Sequence, residues 1–399
     1  MQRQPTGVFI PIVHEGRSGR AFVPNPLPPR SPLQWTPSLR KQMVQAVHAL
    51  GGLDNITTLL PDPDIFLYTY IRREAVLSSQ IEGTRSTLSD LLLFELKEVP
   101  GVPFDDVREV SNYVRALEHG MQRMQEGLPI CNRLLREMHA ILLDSGRGHD
   151  KRPGAFRQVQ NWIGGMGVDD ADFVPPPPEH VEKCMAALER FINQPDEEQP
   201  HDALVKAALA HVQFETIHPF LDGNGRMGRL LISFILHAEG LLRHPLLYLS
   251  LYLRQHRQQY FDLLMRVRLQ GDWESWLDFF FRGVHQVAGN AVQTARALMR
   301  LFHDDEAKVS EMGRQAGSLH RVLRALQRRP IATIPWIREY TGLTYPPVAK
   351  ALHRLQEMRI VQEITGKQRG RTYAYVRYME IMESGVTSFE AGARGQEAP

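Results

Sequence analysis

His218-Pro219-Phe220-Leu221-Asp222-Gly223-Asn224-Gly225-Arg226-Met227-Gly228-Arg229 runs directly into Leu230-Leu231-Ile232-Ser233-Phe234-Ile235-Leu236. The second stretch is apolar all round, the pattern of a helix buried on every side, so its N-terminus opens into a protein cleft. A helix start carries unpaired N–H groups and the positive end of the dipole, and Gly223 and Gly225 lack the Cβ that would keep an anion away. Arg226 and Arg229, three apart, are expected to lean over one face and offer planar forks to polyphosphate oxygens. Asp222 is a hard oxygen ligand suited to a Mg²⁺ ion already held by phosphates. His218 titrates near neutral pH and can accept a proton from an attacking hydroxyl as a phosphoanhydride is displaced. A lone histidine in an apolar stretch also reads as a packed core residue, but base, metal ligand, anion loop and two arginines within twelve residues are harder to produce by packing alone. A zinc site fares worse, since H-E-x-x-H is absent and neither cysteine is near.

Outward from this stretch, 399 residues exceed what one core normally organises, which predicts two or three domains. At 43% hydrophobic and 23% charged the composition is that of a folded globular chain. Two cysteines, Cys131 and Cys184, exclude a disulfide framework and suit a reducing cytosol. The N-terminus lacks a signal core, and Leu230–Leu253 is interrupted by His237, Glu239, Arg243 and His244, so a cytoplasmic protein without a membrane span is expected. The net charge of +2 conceals an asymmetry: residues 320–380 hold twelve basic and four acidic residues, leaving the remainder acidic. A separate basic module with an acidic or polyanionic partner follows.

Proline-rich residues 1–40 read as an extended arm. Helical spacing then recurs from Ser38 to Leu142 (Met43, Val47, Leu50; Ile65, Tyr68, Ile71, Val76; Leu88, Leu92) and again from Val181 to Val287. Between them Arg152–Pro178, with four glycines, β-favouring Val159, Trp162 and Ile163, and a terminal PPPP run, reads as a projecting hairpin. The divisions are an arm and helical region over 1–110, a core over 111–287, a connecting helix or linker over 288–317, three short helices and a two-stranded wing over 318–385, and a flexible tail over 386–399. Gly342 is the expected stop of the second short helix.

HPFLDGNGRMGR resembles the signature H-P-F-x-D/E-G-N-G-R-x-x-R of Fic-domain proteins at every defined position. The resemblance implies a mainly α fold, a Fic-type helical core with a short β-hairpin flap. It also implies transfer of AMP from ATP to a hydroxyl side chain of a protein target. In that family's terms His218 would be the general base and Asp222 the Mg²⁺ ligand, Asn224 with the loop amides would hold the α and β phosphates, and Arg229 would clamp the γ-phosphate. The kinase-like branch has lysine in place of Gly225, so AMP transfer is favoured over phosphorylation.

Ser78-Ser79-Gln80-Ile81-Glu82-Gly83 ends a helical pattern, with Gly83 a natural residue beyond a helix end. Glu82 then meets the negative end of the helix dipole, a cost of about 0.3–1 kcal/mol that a nearby cation would relieve. A solvated surface glutamate is the alternative. The run resembles the inhibitory motif S/T-x-x-x-E-G/N of Fic proteins, whose glutamate pairs with the second signature arginine, here Arg229. That implies an enzyme off at rest, and in some relatives the same glutamate supports removal of AMP.

Residues 157–175 match the family's flap, where an extended target segment would pair with Val159–Ile163. LYLSLYLRQHRQQYF resembles the adenine end of the pocket, with Tyr260 as the stacking residue and His256 where relatives often have asparagine. Residues 318–382 resemble a winged helix, with Tyr345–Met358 as the groove-reading helix and Lys367, Arg369 and Arg371 on the wing toward phosphates of DNA. A protein-docking or homodimerising module is the alternative. The leading expectation is a self-inhibited, Mg²⁺-dependent protein adenylyltransferase acting on Ser, Thr or Tyr. The competing one is a DNA-binding regulator whose pocket senses nucleotide.

Overall fold

The computed structural model describes residues 4–59, 62–96, 104–194, 202–244, 247–313 and 316–393. In chain order the elements are β1 (Gly7–His14), β2 (Arg17–Pro24), α1 (Pro37–Leu59), α2 (Pro63–Ile81), α3 (Leu88–Phe94), α4 (Phe104–Gln125), α5 (Asn132–Leu142), α6 (Pro178–Asn193), α7 (Ala203–Ile217), α8 (Asn224–Ala238), α9 (Ser250–Gln255), α10 (Arg257–Gln270), α11 (Trp273–Ser310), α12 (Ala316–Arg328), β3 (Ile331–Thr333), α13 (Ile334–Thr341), α14 (Tyr345–Glu357), β4 (Gln362–Glu363), β5 (Thr372–Ala374) and α15 (Val376–Ala393). The fold is mainly helical, as the periodicity predicts. Among the described residues no helix is long and apolar enough to cross a membrane.

Of the described residues, those within 1–54, 77–84 and 108–288 form one compact unit, and those within 55–76, 85–107 and 289–399 a second. This differs from the sequential division at residue 110. Segments 55–76 and 85–107 pack with the C-terminal elements: Thr69 Oγ1 meets the Tyr378 hydroxyl at 2.9 Å, and Ser89 donates to Glu383 at 3.0 Å. Such contacts span some 300 residues of sequence and leave no mark on local periodicity. The region expected to link the domains is helical to Ser310, as a continuation of α11. The expected flexible tail is helical to Ala393, and residues 394–399 lie outside the described ones.

In the first unit α7 and α8 form the centre. From Leu204 to Ile217 every residue of α7 is buried, and α8 is buried on almost all sides up to Leu236. Around them α6 buries one face, through Val181, Cys184, Met185, Leu188, Phe191 and Ile192. The residues expected to form an extended arm instead contain an antiparallel hairpin in register from Gly7–Pro24 to His14–Arg17. It turns at Glu15-Gly16, both at positive φ. Proline is compatible with a two-stranded ribbon, where each strand has an unpaired edge, so Pro11 does not prevent β1.

The flap expected to be a hairpin is a loop with a single bridge, Ile163 to Phe173, whose N–H···O bonds measure 2.8 and 3.1 Å. Prolines 175–178 remove donors, and Asp170 draws the Met166 and Gly167 amides into a turn. Val159 is exposed but does not lie in a strand. The N-terminal hairpin supports this loop: Phe22 donates to the Val174 carbonyl at 2.9 Å, and Ile10, Ile12 and Trp162 pack on Ala21, Val168 and Val174.

The second unit contains α12, α13 and α14 and a sheet in the order β3-β5-β4, all antiparallel, whose β3 lies between α12 and α13. Thr333 caps α13, and Gly342 at φ 67° ends it. Three helices and a small sheet are compatible with a winged helix. Lys367, Arg369 and Arg371 lie exposed on the turn between β4 and β5. Other members of the basic cluster are committed within this unit: Arg328 to Asp62, Arg329 to Glu95, Arg354 to Glu357, and Arg377 to Asp305.

Candidate active site

A short loop joins the two central helices, and its ends set its shape. His218 closes α7 in the left-handed region at φ 48°, and Gly223 opens α8 at φ 76°. A left-handed histidine is unfavourable unless its surroundings hold it there. Arg157 does so: its Nε donates to the His218 carbonyl at 2.9 Å, its Nη2 to the carbonyls of Ile217 and Pro176, and its backbone N–H to Pro219 at 2.9 Å. At 2% exposure this guanidinium is surrounded by protein. His139 stacks on Phe220 with ring centroids 3.7 Å apart. Its Nδ1 accepts from the Gly154 N–H, so its Nε2 carries the hydrogen and donates to the Asp222 carbonyl at 2.9 Å.

Asn224 pins the loop from within. Its Oδ1 accepts from the Phe220 N–H at 2.9 Å and its Nδ2 donates to the Phe220 carbonyl at 2.8 Å. The side chain expected to hold phosphates is therefore committed to the loop, leaving Asn224 its backbone N–H for an anion. The N–H groups of Asn224, Gly225 and Arg226 form the first turn of α8, where no helical carbonyl lies one turn earlier.

Burial pushes the His218 imidazole down to about 3; Arg157 and Arg268 act in the same direction, and Glu82 and the Glu215 carbonyl oppose them. The ring is thus neutral at physiological pH, the state a proton acceptor needs. Its Nδ1 is buried without a hydrogen-bond partner among the described residues.

The two signature arginines do not serve one face together, as their spacing suggests. Arg226, fully buried, forms ion pairs with Glu109 at 2.8 Å and Asp222 at 3.3 Å. Arg229 turns the other way. Its Nη2 meets Glu82 Oε1 at 2.8 Å and the Ser78 carbonyl at 3.0 Å, and its Nε donates to Ser78 Oγ at 2.8 Å. Glu82 follows the end of α2, and Gly83 takes φ 100°. Burial raises the Glu82 carboxyl, but Arg229, through charge and hydrogen bond, with Arg226 and His218, brings it below its ordinary value. A Cβ on Gly225 would lie 2.3 Å from Glu82 Oε1. A carboxylate therefore already occupies the start of α8.

Residues 40–122 match the family described as Fic/DOC family N-terminal, and residues 129–236 match the Fic/DOC family. The chain carries a Fic N-terminal region followed by a Fic domain. It is similar to the protein adenylyltransferase Fic of Nematostella vectensis, 35% identical over 41% of this chain and 36% of that one. It is also similar to that of Drosophila persimilis, 29% identical over 67% of this chain and 49% of that one. The chain thus spans less than half the length of these curated relatives. The structure of a Fic family protein from Desulfovibrio desulfuricans G20 superposes with a TM-score of 0.55 at 22% identity, covering 87% of this chain and 98% of that one. Fic-1 from C. elegans gives 0.50 at 23% identity over 66% and 73%. These two likenesses establish the fold.

Within this Fic domain Asp222, on the anion loop itself, is the candidate ligand for Mg²⁺. Asp222 is partly exposed, and its Oδ1 accepts from the Gly223 N–H at 2.5 Å. Among the described residues no group of three or more His, Cys, Asp or Glu is placed to hold a metal. One carboxylate beside an anion loop fits Mg²⁺, which binds through one or two carboxylates and takes its other oxygens from phosphates and water.

The nucleobase side differs from expectation. Tyr260 is 1% exposed, its hydroxyl bonded to His211 Nε2 at 2.8 Å and its ring against Trp276. It is a core residue with no face available for stacking a base. His256 is partly exposed and lies against Tyr252 and Phe279. Glu109, Arg147, Arg157 and His139 belong to the site but stand outside the signature. Only their positions in the fold reveal them.

Proposed function

We propose that the chain is a self-inhibited protein adenylyltransferase that transfers AMP from ATP to a Ser, Thr or Tyr hydroxyl of a protein target. The observation that carries this reading is the pairing of Arg229 with Glu82 at the start of α8, where a carboxylate takes the cation and the space that a terminal phosphate requires. The relatives' names support the chemistry.

ATP would lie with its phosphates on the first N–H groups of α8 and its γ-phosphate on Arg229 once Glu82 has left. The target oxygen then attacks the α-phosphorus, the bond to the β-phosphate oxygen breaks, pyrophosphate departs, and His218 takes the hydroxyl proton. Asp222 would hold Mg²⁺, which neutralises charge on the phosphate oxygens when bound. The left-handed turn at His218, fixed by Arg157, aims the imidazole. The loop at 157–175, supported by the N-terminal hairpin, is the proposed docking surface for the target.

Mass spectrometry of the Glu82→Gly chain incubated with ATP and Mg²⁺ tests the reading. A gain of one adenylate on the chain or a target supports it, and no gain under conditions where ATP binds refutes it. Removal of AMP from a modified target by the wild-type chain would instead show that the reverse reaction dominates. The second reading, a DNA-binding regulator that senses nucleotide, is favoured only by the exposed wing residues Lys367, Arg369 and Arg371.

A further inference from the structure

The Asp222 carboxylate pairs with Arg226, whose side chain has no exposure to solvent. A guanidinium so deeply buried requires opposite charge beside it. Among the described residues two carboxylates stand within ion-pair distance of it, and they are not equivalent. Glu109 on α4 is 2% exposed and approaches Nη1 to 2.8 Å, whereas Asp222 is partly exposed and approaches Nη2 only to 3.3 Å. The Glu109 contact is an ion pair without hydrogen-bond alignment, since Nη1 has no hydrogen-bond partner. Charge rather than directionality is what Glu109 contributes. The same Glu109 oxygen lies 3.4 Å from Arg147, whose Nη1 donates to the Glu82 carbonyl at 3.2 Å.

We propose that Glu109 is a positioning residue of this site: it carries the counter-charge of Arg226, so that Asp222 stays available to a divalent cation instead of closing on the guanidinium. The inference rests on reading the His218–Arg229 loop as an AMP-transfer site. Without Glu109, Arg226 has Asp222 as its remaining carboxylate, and an arriving cation meets both an engaged ligand and an uncompensated positive charge. Partners of this kind typically alter metal affinity by about 10–100-fold.

The test uses the full chain in the Glu82→Gly background, with Glu109→Gln keeping the shape and removing the charge. Two binding readouts are taken: the Mn²⁺ concentration for half-saturation in the presence of ATP, from the electron-spin resonance of free Mn²⁺, and the affinity for a fluorescent ATP analogue in EDTA. The expected result is a rise of about tenfold or more in the Mn²⁺ requirement, with metal-free analogue binding unchanged or tighter because the site has become more positive. The double variant Glu109→Gln/Arg226→Gln, which removes both charges, should return the Mn²⁺ requirement to within about threefold of the parent. Should the single variant fail to fold, the double variant carries the test, and a requirement about tenfold above the parent overturns the proposal. An unchanged requirement in Glu109→Gln also overturns it, as does a parallel loss of Mn²⁺ and metal-free analogue binding, which marks a purely structural residue. If the Glu82→Gly parent binds no nucleotide at all, the AMP-transfer reading itself fails, a result distinct from these.

Discussion

Glu82 and Arg229 stand 147 residues apart in the chain and 2.8 Å apart in the fold. The Glu82 oxygen in that contact also lies against Gly225, where a Cβ would come within 2.3 Å of it. One carboxylate thus satisfies the buried arginine and fills the start of α8, the two places an ATP tail would need.

Replacing Glu82 with glycine frees Arg229 and empties the cradle. AMP incorporation from α-labelled ATP should rise more than tenfold. Arg229 is buried but Glu82 is partly exposed, and Ser78 still holds Arg229 through its hydroxyl and its carbonyl, so the loss of stability should stay well below the roughly 3–5 kcal/mol of a fully buried pair. ATP should accordingly raise the melting temperature of Glu82→Gly more than that of wild type. Equal labelling of the two chains would contradict self-inhibition.

Gly225→Ala separates the two consequences of the same contact. The new methyl displaces the end of the Glu82 side chain, a flexible group, so unfolding should change by less than about 1 kcal/mol. It also occupies the phosphate cradle. Release of Arg229 without a gain in AMP transfer is the expected result, and activity matching Glu82→Gly would show that the cradle does not hold phosphates.

His218→Ala in the Glu82→Gly background should reduce transfer by roughly 10²-fold or more while nucleotide binding persists. Kinetic and equilibrium measurements on the same sample decide it. Loss of binding in proportion to activity would mean that the ring shapes the loop and does not accept the proton.

Glu215, on α7 beside Gly228, has a buried Oε1 without a hydrogen-bond partner among the described residues. Burial pushes its carboxyl from 4.5 to about 7, with Arg229 opposing, Glu82 reinforcing and Arg268 opposing. Between those values the unfolded chain has released a proton that the folded chain retains, so this group's contribution to stability is complete below pH 4.5 and is lost as pH rises to about 7. The loss is at most about 3 kcal/mol. Glu215→Gln removes this dependence and should gain stability relative to wild type as pH rises from 4.5 to about 7. Urea unfolding of both chains across that range checks it, and a constant difference would contradict the buried proton.

The wing predicts an electrostatic signature if it meets DNA. Substituting Lys367, Arg369 and Arg371 by alanine in the full chain should weaken duplex binding and reduce the salt slope by up to about one for each phosphate no longer neutralised. Absence of any shift with duplex at low salt would leave the module a docking or dimerising role.

Much of the loop between α7 and α8 was legible because its chemistry is local. Glycines at a helix start, a carboxylate at the loop's edge and a histidine before it are adjacent in the chain, and an all-apolar continuation implies burial of α8. The N-terminal hairpin could have been read from the β-favouring run of residues 8–13 followed by Glu15-Gly16, but the count of prolines suggested an arm. Helical spacing likewise suggested that Arg226 and Arg229 act together, yet Arg226 turns to the buried Glu109 and Arg229 to the partly exposed Glu82.

What the chain alone determined is therefore the anion loop, the helices that flank it and the residue types able to perform phosphate chemistry. Tertiary structure decided which charge faces which: Glu109 to Arg226, Arg157 to the His218 carbonyl, Tyr260 to His211 rather than to a base. The physical reason is that backbone conformation follows from neighbours in sequence, whereas the partner of a buried ion is whichever opposite charge the packed helices bring within a few ångströms, often from a hundred residues away.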